Sequence, residues 1–146
     1  MVSSKVFVIF DVDGTINQTE VYAVKAYRKA LEETGKTGFS DQELIERIGA
    51  PFEQDVRYFF GENESEQVEL FRKLIQKYWI NGIKDSAKTF EGIHQMLEEL
   101  KEKGYKLAVC SNASNWELDV ILKKLEVKDY FDVIQGVTSK ITKNIV

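Results

Sequence analysis

Across 146 residues there is one cysteine, one histidine and one proline, and each scarcity narrows the reading. A single cysteine, Cys110, excludes an internal disulfide. It ends the apolar run Leu107-Ala108-Val109-Cys110, so it is expected to be a small buried core residue. The lone His94 stands one residue off the apolar stripe of its helix and reads as a partly exposed side chain. No apolar stretch approaches the ~20 residues that span a bilayer. The apolar run near the N-terminus is five residues long and ends in acid, unlike a signal peptide. A cytoplasmic location is the default expectation. No block of Lys and Arg occurs and the net charge is −4, which argues against nucleic acid or an anionic membrane as partner. Neither G-x-x-x-x-G-K-[ST] nor G-x-G-x-x-G is found, so a nucleotide-binding module is disfavoured. No internal repeat or low-complexity segment is visible. What remains is 43% hydrophobic and 30% charged, the balance of a folded globular chain of one ordinary domain with room for a small insertion.

The apolar residues are arranged with two periods. Lys5 to Phe10 is rich in β-branched and aromatic residues without alternation, as expected of a strand buried on both faces in the middle of a parallel sheet. Lys106 to Asn112 reads the same way, and Phe131 to Gly136 is a shorter third strand. Between the first two lies a long helical region. Ala23, Tyr27, Ala30 and Leu31 fall at helical spacing and Gly35 ends that helix. Ser40-Asp-Gln-Glu43 is a capping box opening a helix through Leu44, Ile45 and Ile48. Gly49-Ala50-Pro51 breaks it. A short helix comes next, from Phe52 to Phe60. Val68, Phe71, Leu74, Ile75 and Tyr78 mark another, which Asn81-Gly82 is expected to stop. The α/β rhythm then resumes. Ile93, Met96, Leu97 and Leu100 mark a helix before strand two. Ser114-Asn-Trp-Glu117 caps a helix with Leu118, Ile121, Leu122 and Leu125 on one face. Helices alternating with buried strands predict an α/β fold with a doubly wound parallel sheet.

In such a sheet ligands bind beyond the C-terminal ends of the strands. That rule selects Asp11 and Asp13 after strand one, Ser111 and Asn112 after strand two, and Lys140 or Lys143 after strand three. Two carboxylates spaced one residue apart repel each other unless a cation sits between them. Carboxylates suit Mg²⁺, which shares its shell with water and phosphate oxygens. A hydroxyl and a lysine also suit phosphate. Phosphoryl transfer is the chemistry most natural to this set. Taken singly, each signal has a plainer reading. Asp-Gly-Thr makes turns, Ser-Asn can simply end a strand, and a terminal lysine is usually solvated surface. Their occurrence together at three strand ends carries the inference.

The motifs also resemble a known family. "DVDGT" after a hydrophobic strand resembles motif I of the haloacid dehalogenase (HAD) superfamily, and "VCSN" at Val109 to Asn112 resembles motif II. "FEGIHQMLEELKEKGYKLAVCSN" is similar to the helix–strand unit of phosphoglycolate phosphatase-like members. "IGAPFEQ" resembles the substrate loop of their helical cap, and "DYFDVIQG" the approach to the motif III lysine. The resemblance implies a HAD-like Rossmannoid core, residues 1–16 and 85–146, with a helical cap over residues 17–84 inserted between them. The cap's joints would fall at Ile16 to Thr19 and Gly82 to Asp85. It implies a Mg²⁺-dependent phosphatase acting on a small phosphorylated metabolite through an aspartyl phosphate. Asp11 would be the nucleophile and Asp13 the acid/base. Both would hold Mg²⁺, Asp13 through its backbone carbonyl. Ser111, with Asn112 beside it, and Lys143 would bind the phosphoryl group. The family's spacing from Phe131 favours Lys143 over Lys140. Within the cap, Arg47 either faces the site or is solvated surface. A sugar phosphomutase shares the first half-reaction and is an alternative.

The family pattern continues with further acids in a Gly-Asp-x-x-x-Asp segment, on a strand that pairs beside strand one. Val146 stands three residues after Lys143, so the core is expected to be incomplete at its C-terminus. The metal site would then be weak, and strand one would become an exposed apolar edge prone to self-association. A catalytically incomplete HAD-like fragment is therefore the main rival. Smaller departures are Gln18 and Glu91, where the family often has Asp and Pro; neither carries chemistry. A receiver-type signalling domain would gather similar groups, but it needs a phosphorylatable Asp ending a middle strand. Asp55, the only candidate at a suitable distance, lies in a helical pattern.

Overall fold

The computed structural model describes residues 6–62 and 65–137. Lys143 and its alternative Lys140 lie outside the described residues. The chain divides into two compact units, one formed by residues up to Gln18 and from Lys88 onward, the other by Thr19–Ala87.

The first unit is built on three parallel strands, β1 (Phe7–Phe10), β2 (Lys106–Ser114) and β3 (Val133–Val137), in the order β1-β2-β3. Phe10 lies opposite Val109, and Val109 opposite Ile134. β2 is the buried strand, with Leu107, Ala108 and Val109 all in the core. Among the described strands β1 is an edge, not a central strand. Phe7 is 47% and Ile9 68% exposed. The apolar run predicts burial on both faces; among the described strands only β2 pairs with it, and the face that carries Phe7 and Ile9 is exposed. Cys110 is partly buried, because the β2 register becomes irregular from that residue.

Two helices of this unit, counted after four in the other, are α5 (Ile93–Glu102) and α6 (Asn115–Lys124). Leu97 of α5 and Leu118, Ile121 and Leu122 of α6 are buried, each worth roughly 1.5–3 kcal/mol of apolar burial. His94 is partly buried with its ring edge-on to Tyr130. At the N-terminal ends of β2 and β3, Asp132 accepts from the Leu107 N–H at 2.9 Å and from Lys101 at 3.0 Å. The Leu107 amide first, and then Lys101, hold the Asp132 carboxyl below the ordinary carboxylate range.

The second unit is entirely helical: α1 (Glu20–Glu33), α2 (Asp41–Glu46), α3 (Phe52–Phe60) and α4 (Glu66–Ser86). On α1 the buried residues Tyr22, Ala23, Ala26, Tyr27, Ala30 and Leu31 form one stripe, the pattern of a helix with one apolar face. Thr34 closes α1 by donating its hydroxyl to the carbonyls of Ala30 and Leu31. The Ser40 capping box forms as the sequence predicts, with both Ser40–Glu43 bonds made. α2 ends at Glu46, so Ile48 falls in the next turn rather than in the helix. Phe59, Phe71 and Tyr27 anchor the core.

One expectation fails here. Asn81-Gly82 does not stop the fourth helix; α4 runs through both to Ser86, and the expected joint at Gly82 to Asp85 is helical. The reason is packing. A Cβ on Gly82 would stand 2.8 Å from the Cβ of Tyr22 and 2.9 Å from its ring. Glycine is required by the close approach of α1 and α4, not by a chain break.

Two substitutions test these contacts by urea unfolding. Gly82→Ala gains about 1 kcal/mol of helix propensity but drives a methyl into the buried Tyr22. A net loss of about 1–2 kcal/mol is expected, since overpacking wins at a fixed Cβ. At Gly136 on β3 a Cβ would lie 2.5 Å from the Ala113 carbonyl oxygen and 2.9 Å from the Asn115 amide nitrogen. These are backbone atoms, so Gly136→Ala is expected to cost about 2 kcal/mol or more, with an unchanged m-value.

Candidate active site

Val12 sets the first half of the site. Its carbonyl accepts from the amides of Thr15, Ile16 and Asn17 at 3.1, 3.0 and 2.9 Å. The side chains of Val12 and Ile16 are fully buried. The segment after β1 is thus wound tightly around one carbonyl and pinned by two apolar side chains. Gly14 adopts φ 75°, a left-handed conformation that favours glycine. Its N–H donates to Asn17 O at 2.9 Å. Asp11 and Asp13 flank Val12, both half-buried and both with partners. The chain then leaves this unit beside the place where it returns. Gln18 donates its N–H to Lys88 O at 2.8 Å and its side-chain amide to Thr89 O at 2.9 Å.

The second half is a break in the β2 ladder. Cys110 pairs with Gln135 and Ser114 with Val137, so β2 takes four steps while β3 takes two. The residues between, Ser111, Asn112 and Ala113, cannot follow the regular ladder. Bulges of this kind re-aim side chains and often lie at active sites. Ser111 is 2% exposed and its Oγ accepts from the Ala113 N–H at 3.1 Å. Asn112 is half-buried and has a partner. Beyond the bulge, Ser114 caps α6 by accepting from the Glu117 N–H, as predicted. Asn115 Oδ1 accepts from the Gly136 N–H at 2.7 Å, tying the start of α6 to β3. Sequence reasoning had no signal for Asn115, because the contact spans 21 residues.

The register joins the two halves. Phe10 lies level with Val109, so Asp11 and Ser111 leave the sheet at the same end, on neighbouring strands spaced about 4.8 Å apart. Among the described residues no group of three or more His, Cys, Asp or Glu side chains gathers as a metal site. Asp11 and Asp13 alone still fit Mg²⁺, which takes one or two carboxylates and completes its shell with water and substrate phosphate. Among the described residues no helix is long and apolar enough to cross a membrane.

Residues in the helical unit complete the sequence predictions. Asp55, the residue a receiver domain would phosphorylate, is buried within α3 and does not end a strand. Arg47 is neither free surface nor a free cation. Its Nε donates to Asp55 Oδ1 at 2.8 Å, an internal ion pair that neither reading of Arg47 anticipated.

Known proteins place this arrangement. A phosphoglycolate phosphatase from Aquifex aeolicus is 33% identical over 133 residues, which are 88% of this chain and 59% of that protein. A haloacid dehalogenase-like hydrolase from Bacteroides fragilis superposes with a TM-score of 0.80 at 26% identity, over 91% of this chain and 64% of that one. A structure described as a β-phosphoglucomutase from Thermotoga maritima gives a TM-score of 0.69 at 27% identity, over 96% and 64%. The chain therefore spans less than two thirds of the length of these relatives. Residues 8–143 match the family model for haloacid dehalogenase-like hydrolases, with the acids after β1 and the serine of the β2 bulge both inside the match, and the chain belongs to that family.

Proposed function

We propose that the chain is a Mg²⁺-dependent phosphatase that hydrolyses a small phosphomonoester through an aspartyl phosphate. The observation that carries this reading is the register of β1 and β2, which delivers Asp11 and the Ser111 bulge to one end of the sheet. In the proposed reaction an Asp11 carboxylate oxygen attacks phosphorus in line, and the bond from phosphorus to the leaving oxygen breaks. Asp13 gives its proton to the departing alkoxide, which leaves as an alcohol. Asp13 then takes a proton from water, whose oxygen attacks the aspartyl phosphate, releasing inorganic phosphate and restoring Asp11. Ser111, Asn112 and Lys143 bind the phosphoryl oxygens as charge moves between them. Asp11 and the Asp13 carbonyl would hold Mg²⁺, which when bound would supply charge neutralisation for the anionic nucleophile. The helical unit acts as a cap that reads the leaving group, a small phosphorylated metabolite. The likeness to the Thermotoga structure leaves a sugar phosphomutase as a variant in which a substrate hydroxyl replaces water.

A second reading is a catalytically incomplete HAD-like fold. In that reading the fold binds phosphate without turnover. Two assays separate the readings. With p-nitrophenyl phosphate and Mg²⁺, the hydrolase reading expects turnover that Asp11→Asn lowers on the order of 10³-fold or more. Turnover unchanged in Asp11→Asn would overturn it. Beryllofluoride with Mg²⁺ is expected to raise the melting temperature of the wild type and not of Asp11→Asn. Stabilisation without turnover supports the second reading.

The open edge of β1 adds an association property. An apolar, unpaired strand edge templates pairing with another chain, and Ile9 presents the largest exposed surface on it. The chain is expected to elute in light-scattering chromatography as a concentration-dependent dimer, and Ile9→Lys to shift it to monomer. A wild-type monomer at high concentration would refute self-association through β1.

A further inference from the structure

Among the described residues, Asp55 is the one charged residue that is buried, at 3% exposed, and it lies outside the candidate active site. Two donors reach it. Tyr27 of α1 donates its hydroxyl to Oδ2 at 2.8 Å, and Arg47 donates Nε–H to Oδ1 at 2.8 Å. The Tyr27 hydroxyl also lies 3.5 Å from the Arg47 carbonyl oxygen. The three residues close a triangle across α1, the end of α2 and α3. The Arg47 guanidinium lies over the Tyr58 ring at 4.8 Å, and the side chain is 19% exposed.

Arg47 is the C-cap of α2, a helix of six residues, too short to hold itself by its own hydrogen bonds. In the turn after it the Ala50 N–H donates to Arg47 O at 3.2 Å, with Gly49 at φ 88° and Pro51 opening α3. Arg47 links this turn to Asp55 of α3. We propose that Asp55 is the positioning residue for the α2–α3 turn, acting through Arg47, and that protonation of Asp55 releases Arg47 from the turn's anchor.

The direction comes from the energetics of the pair. Burial raises the Asp55 carboxyl to about 6, against the opposing pull of Tyr27 and Arg47. At pH 7 it is mostly ionised and holds Arg47; below about 6 it takes a proton and the charge opposite Arg47 vanishes. Detaching Arg47 removes an interaction that favours the anion, so the detached state binds the proton more tightly and acid favours detachment. Global stability moves the other way. The folded value lies above the ordinary carboxylate value, so the stability contributed by Asp55 is present in full below about pH 4 and is lost as pH rises through about 6. Acid therefore opens this contact without unfolding the unit through this group.

Other charged groups around α3 are engaged elsewhere. On α1, Arg28 pairs with Asp41. From α2, Glu43 accepts from Tyr58, and the Ser40 amide first, then Tyr58, hold its carboxyl low. Glu46 is the remaining α2 acid close to Tyr58. On α3 itself, Glu53 is bonded to Arg72 of α4, which holds its carboxyl low, and Arg57 lies near Glu53.

The test is an NMR titration of the full chain from pH 4.5 to 8, tracking the Asp55 carboxyl carbon and the amides of residues 47–50. Asp55 is expected to titrate near pH 6, with the turn amides changing at the same midpoint. Asp55→Asn is expected to abolish that transition. Tyr27→Phe removes a donor that favours the anion and is expected to move the midpoint upward, which a purely structural role would not do. Turn amides that stay constant while Asp55 titrates, or a Tyr27→Phe midpoint that stays put or falls, would overturn the proposal. If Asp55→Asn fails to fold, the wild type and Tyr27→Phe decide it. Neither arm reads phosphatase activity, so the outcome is separable from that of the proposed function.

Discussion

Parallel pairing of β1 with β2 is the constraint on which the rest of the site depends. Parallel strands end on the same side, and a register that sets Phe10 level with Val109 leaves little freedom for the residues beyond them. Asp11 must emerge beside the residues after Val109. β2 is buried at Leu107, Ala108 and Val109, and β1 is paired to it in register, so that pairing sets where the carboxylate sits relative to the serine. The bulge then does what a regular ladder cannot: it takes Ser111 to Ala113 out of the sheet pattern, while Ser114 and Asn115 secure the chain on the far side.

The two units treat carboxylates in opposite ways. At the strand ends, Asp11 and Asp13 stay half-buried beside a turn rich in backbone amides, where a further cationic or phosphate partner can approach from solvent. In the helical unit, Asp55 is sealed in the core with a guanidinium and a phenol as its donors. A sealed carboxylate bears the desolvation cost that an open one avoids, which is why its proton affinity rises despite two good hydrogen bonds. A buried ion pair of this kind adds little net stability over an apolar replacement. Its consequence is geometric: one carboxylate joins groups from α1, the end of α2 and α3.

Legibility in the sequence divided along the range of the interactions. The strands, the Ser40 box and the Ser114 cap are written in residues within four positions of one another, and each formed where its pattern stood. Asp11 follows β1 as the pattern of that strand predicts, whereas Ser111, read as following strand two, lies inside β2, because the strand continues through an irregular stretch to Ser114. Gly82 misled for a physical reason. Asn-Gly is a strong local stop, yet the close approach of Tyr22, sixty residues earlier in the chain, demands a glycine inside a continuing helix. The Tyr27–Asp55–Arg47 triangle left no trace, since no local pattern distinguishes an arginine on a surface from one facing a buried acid 8 residues on.

β1 shows how a site can be secured when the strand leading to it is not. Ile9 is among the most open apolar residues of the chain, while Val12, three positions on, is completely buried. The transition happens within the carboxylate-bearing segment itself. Were the placement of Asp11 and Asp13 dependent on β1 being flanked on both sides, an open outer edge would leave both acids without support. Instead the support comes from behind them: Val12 and Ile16 pack inward, one carbonyl gathers three amides, and Gln18 is clamped to Lys88 and Thr89. The turn that aims these two acids is held by its own carbonyl, its buried side chains and the Gln18 bonds.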